Sequence, residues 1–64
     1  MFKEIILKEI REYKDQYTQK NADEGLYMVL GVIRIFTRLE LISPEFMEYA
    51  IDMAFDEHKK ISKK

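Results

Sequence analysis

The chain has 64 residues, 47% of them apolar and 36% charged, with a formal net charge of −1 and no cysteine. Such a length builds one small domain, and the hydrophobes are numerous enough for folding rather than disorder. The lack of thiols excludes a disulfide framework, a thiolate zinc site and a cysteine nucleophile, which leaves oligomerisation as the accessible supplement to a small core.

Phe2, Ile6, Ile10, Tyr13 and Tyr17 fall in one stripe when successive residues are stepped by ~100°, while Lys3, Glu4, Lys8, Arg11, Glu12 and Asp15 lie mostly outside it. This pattern predicts an amphipathic helix over about residues 2–19, with Glu4–Lys8 and Arg11–Asp15 as weak i,i+4 ion pairs. Ile5 stands off the stripe. Gln19-Lys20-Asn21 is the first break, and Asn21 followed by Glu24 reads as a variant of the capping box.

A second helix is predicted over about residues 22–40, and its polar side is narrow. Asp23, Tyr27, Gly31, Arg34 and Arg38 project one way; apolar residues, among them Leu26, Met28, Val29, Ile33, Ile35 and Leu39, take well over half of the circumference. A stripe of ~100° covers one neighbour, so this helix is central and needs two neighbours or another chain. The competing reading makes the β-branched run Leu26–Phe36 a buried strand, but no second strand exists to satisfy its backbone. Within a helix Gly31 costs about 1 kcal/mol relative to alanine, which implies close approach of another helix or of a ligand.

Ser43-Pro44-Glu45 is the clearest punctuation: an N-cap serine, a proline where its missing N–H costs nothing, and an acid at the positive end of the dipole. A third helix is predicted over about residues 44–61, with Phe46, Met47, Ala50, Ile51, Met53, Ala54 and Ile61 on one face. Tyr49 and Phe55 sit on opposite flanks of that face beside acids and should be partly exposed, and Ser62-Lys63-Lys64 should fray. Short links between the helices predict an all-α, antiparallel three-helix bundle forming one domain over residues 1–64, completed by dimerisation. A helix ending in Leu39-Glu40-Leu41-Ile42-Ser43 before one that begins at Pro44-Glu45-Phe46 looks like the junction in many small helical proteins of bacteria and their phages. That pattern is generic and carries no functional residue across.

Charge is unevenly spread. Glu45, Glu48, Asp52, Asp56 and Glu57 follow one another with no base among them, and Lys59, Lys60, Lys63 and Lys64 follow. Acids early and bases late are what the helix dipole favours, although the acidic face could also dock on a basic protein surface. The single imidazole, His58, is read as exposed or dipole-stabilising, because Glu57 and His58 point ~100° apart and cannot converge on a metal. Glu48, Asp52 and His58 are the only candidates for enzymatic chemistry, and no phosphate loop, nucleophile elbow or metalloprotease motif accompanies them. A non-enzymatic chain is expected, with no cofactor and no metal.

A helix-turn-helix would have to present Glu45 and Glu48 to DNA, which fits poorly. Arg34 and Arg38, one turn apart, suit either phosphates or an ion pair with the acidic helix. The expectation is a small protein-interaction module, a regulator, adaptor or inhibitor that binds a larger protein and forms a homodimer, with Tyr27, Arg34, Arg38, Tyr49, Asp52 and Phe55 as partner-binding residues. The alternative is a small DNA-binding transcription regulator using Arg34 and Arg38 in a dimer; otherwise nucleic acid is not the expected partner. No stretch is long and apolar enough for a membrane span and no signal-peptide core opens the chain, so a soluble, cytoplasmic protein is expected.

Overall fold

A computed structural model describes residues 1–62. It contains α1 (Phe2–Gln16), α2 (Ala22–Arg38) and α3 (Pro44–Ser62), each packed against both others, in a bundle of 35 × 16 × 15 Å. The Phe2 and Phe36 rings meet edge to face at 5.9 Å, which sets the start of α1 beside the end of α2. Lys3 Nζ lies 5.4 Å from the centre of the Phe46 ring, so α3 starts where α1 starts. The path is up, down and up, as the short links require. Leu26–Phe36 is helical throughout, so the strand alternative fails.

The core is built at helical spacing from Ile6, Ile10 and Tyr13 of α1, from Leu26, Val29 and Ile33 of α2, and from Ala50, Ala54 and Ile61 of α3. Small residues are decisive in α3. With alanine at positions 50 and 54, both fully buried, the helix axes come close enough for the isoleucines opposite to fill the space. Ile42 closes the end of the core from the α2–α3 link.

The first helix ends at Gln16 rather than at residue 19, and the cause is Tyr17. Its backbone is extended (φ −124°, ψ 149°), and its ring turns back onto Tyr13 at a centroid distance of 5.5 Å. Burying that ring outweighs another helical turn of polar residues. Asn21 does precede α2, but its side chain does not cap it. Its Oδ1 instead accepts from the Thr18 backbone N–H at 2.7 Å, closing the tight turn between the helices. The anticipated pairs Glu4–Lys8 and Arg11–Asp15 are not made either; the i,i+4 pair of α1 is Lys8–Glu12 at 3.9 Å. Exposed pairs of this kind differ by tenths of a kcal/mol, too little to select a partner.

The α2–α3 link follows its sequence signals more closely. Ser43 Oγ accepts from the Phe46 N–H at 3.1 Å, as an N-cap should. At the end of α2, Leu41 N–H donates to Phe36 O at 2.9 Å and Glu40 N–H to Thr37 O at 3.0 Å, the paired bonds of a Schellman motif. That motif places Glu40 at φ 59°, the left-handed region that favours glycine. Ser62 closes α3, while Lys63 and Lys64, where fraying was anticipated, lie outside the described residues.

Two predictions concern this framework. Glu40→Gly should raise stability by about 1 kcal/mol, read from the urea midpoint at unchanged m-value. The second concerns Tyr13, whose hydroxyl donates to Ala22 O at 2.7 Å. Burial, then the charge of Asp23 and the neighbouring Tyr17, raise its pKa above the ordinary 10.0. The unfolded chain therefore loses this proton first as pH rises, so the contribution is intact below about pH 10 and is lost as pH climbs through the higher folded value. Tyr13→Phe should cost about 1 kcal/mol at neutral pH and make stability fall less steeply in alkali.

Candidate interaction surface

The two glycines of α2 have opposite surroundings. A Cβ built on Gly25 would stand 2.6 Å from Cε1 of Tyr13 and 2.7 Å from the Tyr17 ring, so α1 and α2 meet there at a separation only glycine allows. A Cβ on Gly31 would meet nothing within 4 Å. The close approach anticipated at Gly31 is thus absent within the chain, and the glycine leaves a notch of about 210 Å³ on the outer side of α2, lined by Gly31, Arg34, Ile35 and Arg38.

Around that notch α2 exposes what its two neighbours cannot cover. Tyr27 is 71% accessible, Met28 64%, Ile35 57% and Leu39 63%, on the helix that also supplies Leu26, Val29 and Ile33 to the core. Scattered exposed hydrophobes are ordinary, but these recur turn after turn on one face. With ~100° between successive residues, Glu24, Tyr27, Met28, Arg34, Ile35 and Arg38 all project within about 60° of Gly31. Arg34 and Arg38 are exposed, and the ion pairs among the described residues do not include them. Of the two readings of these arginines, the ion pair with the acidic helix is not formed among the described residues.

Helix α3 presents a second outward face. Asp52 is exposed between Tyr49 and Phe55, both accessible, and Glu45, Glu48 and Asp56 share that side. Tyr49 leans toward α1, since its ring contacts that of Phe46 at 5.9 Å and Phe46 lies under Lys3. Phe55 takes the opposite flank, one turn from His58, whose Nε2 lies 2.7 Å from Asp23 Oδ1 at the start of α2. His58 is thus a half-buried clasp between α3 and α2 rather than a solvent-facing residue at a helix end. Tyr27, one turn beyond Asp23, and Phe55 therefore border the same α2–α3 seam. The structure brings Tyr27, Arg34 and Arg38 together and places Phe55 at their edge; Tyr49 and Asp52 stand apart from them.

Among the described residues no cluster of His, Asp or Glu could hold a metal ion, and no helix is long and apolar enough to cross a membrane. A hollow of about 610 Å³ opens between the end of α1 and Ile61, lined by Lys14, Tyr17, Thr18, Gln19 and Lys20. Glu48 and Asp52 face solvent while His58 faces α2, so the three do not converge. Comparison with family models, curated proteins and solved structures returns no match to the chain.

Sequence reasoning did not include Glu24, Met28, Ile35 and Leu39 in the candidate surface. The excess width of the apolar stripe was the available signal, but it could not say which part of the stripe would remain uncovered. The two glycines make a paired prediction. Gly25→Ala should cost about 1–2 kcal/mol, because the buried Tyr13 ring cannot yield and the strain exceeds the helix-propensity gain. Gly31→Ala should stabilise the dilute chain by up to about 1 kcal/mol. Thermal unfolding of both variants at low protein concentration checks the opposite signs.

Proposed function

We propose that this chain is a non-enzymatic protein-interaction module, a small regulator, adaptor or inhibitor, that works through the outer face of α2. The observation that carries the proposal is the continuous exposed stripe around Gly31, in which Tyr27, Met28 and Ile35 provide apolar contact and Arg34 and Arg38 provide charge. Tyr, Met and Arg are enriched in interface cores, because they combine large contact area, adaptable shape and directed hydrogen bonding. Helix presentation suits such a role: an exposed amphipathic face is read by a partner through residues at i, i+3, i+4 and i+7. The acidic outer face of α3 remains accessible beside it, and electrostatic complementarity there would favour a basic target surface.

The test is site-specific photocrosslinking in source cells, with p-benzoylphenylalanine at Ile35 and, as control, at the exposed Arg11 of α1. Illumination should link residue 35 to protein, Met28→Asp in the same chain should suppress the adduct, and the Arg11 position should give none. Absence of any protein adduct from positions 27, 28, 35 and 39 in a folded chain would refute the proposal.

A further inference from the structure

We infer that the outer face of α2 is occupied by the α2 of a second copy of this chain, antiparallel to it, with a two-fold axis passing at Gly31. The inference rests on the reading of this face as an interaction surface and names its occupant. Three independent features point to a second copy.

The first is the position of the notch. Gly31 lies near the middle of the 17-residue α2, where a two-fold crossing leaves equal lengths of helix on either side. Helices pack with axes about 8–10 Å apart and carry their Cα atoms about 2.3 Å from the axis, so two Gly31 Cα atoms facing each other would lie about 3.5–5.5 Å apart. Such contact excludes larger residues and supplies the close approach that Gly31 lacks inside its own chain.

The second is charge. Along the exposed stripe the acid, Glu24, precedes Gly31 by seven residues, and a base, Arg38, follows it by seven. A rise of ~1.5 Å per residue puts them about 10 Å to either side of the axis, at equal and opposite angular offsets of about 20°. A two-fold operation therefore brings Arg38 of one copy to the level of Glu24 of the other, both close to the facing line and within side-chain reach, twice. Parallel packing in register would instead set Arg38 against Arg38 and align the helix dipoles unfavourably.

The third is the apolar match. Met28 and Ile35 lie on one side of Gly31 at about +60° and +40°, three residues before it and four after, so the same operation, which keeps each flank on its own side, sets Met28 of one copy against Ile35 of the other. Tyr27 and Arg34, at about −40° and −60°, share the opposite flank and pair likewise, with the guanidinium of one copy reaching the phenol ring of the other.

The experiment is sedimentation equilibrium of the purified chain over a hundredfold concentration range, with variants at exposed positions whose folding is checked by circular dichroism. The wild type should be dimeric, and Gly31→Leu should weaken the dimer at least tenfold while remaining helical. Glu24→Arg and Arg38→Glu should each weaken it about tenfold by opposing like charges. The double variant should recover wild-type affinity, because it restores the cross-axis pairs in reversed sense. Since the chain has no cysteine of its own, Gly31→Cys should form a covalent dimer on mild oxidation and Arg11→Cys should not. A monomer at every concentration, or a charge swap that does not rescue, overturns the inference. The broader reading fails separately, when none of positions 27, 28, 35 and 39 crosslinks to protein; an adduct to a different protein from a monomeric chain sinks the two-fold pair alone.

Discussion

The close approach of α1 and α2 at Tyr13 and Gly25 is the constraint on which the rest of the molecule depends. Tyr13 is buried between the helices with its hydroxyl satisfied by the Ala22 carbonyl, and it fits because residue 25 has no side chain. A phenol placed there without its partner would leave a polar group unpaired in the core, at a cost comparable with much of a small domain's net stability. The same contact draws Tyr17 inward, ends α1 at Gln16 and fixes the rotation of α2 about its axis. Once that rotation is set, Leu26, Val29 and Ile33 face inward, and the residues around Gly31 face away.

A bundle of three helices from so short a chain cannot cover its most apolar member. α2 has two neighbours, and Gly25 and Val29 are spent on α1 while the Asp23 flank is clasped by His58 of α3. The remaining third of its circumference carries Tyr27, Met28 and Ile35 into solvent. Hydrophobic burial is proportional to area removed from water, so this face is a reserve of binding free energy that the monomer does not use. The acidic side of α3 has the complementary character: strongly hydrated and suited to steering rather than to burial.

Much of this was legible in the chain because it rests on local rules. Helical periodicity placed all three elements, and Ser43-Pro44-Glu45 announced the start of α3 through capping chemistry that involves only adjacent residues. The surplus apolar width of α2, and the exposure of Tyr27, Tyr49 and Phe55, also followed from angular position alone. Local signals failed where a distant residue competed for the same group. Asn21 turned from the helix end to the Thr18 backbone, and His58 left solvent for Asp23, thirty-five residues away.

The sequence by itself determined the fold class, the order of the helices and the presence of more apolar surface than three helices can hide, because periodicity and composition are properties of the chain alone. Tertiary structure decided which of the two glycines serves the internal packing and which is left open. Both sit in the same helix with the same intrinsic cost, and they differ in what stands opposite them: the Tyr13 and Tyr17 rings for Gly25, nothing within 4 Å for Gly31. That difference depends on the rotation of one helix against another, which arises when side chains compete for a shared core, and it gives the outer face of α2 its shape.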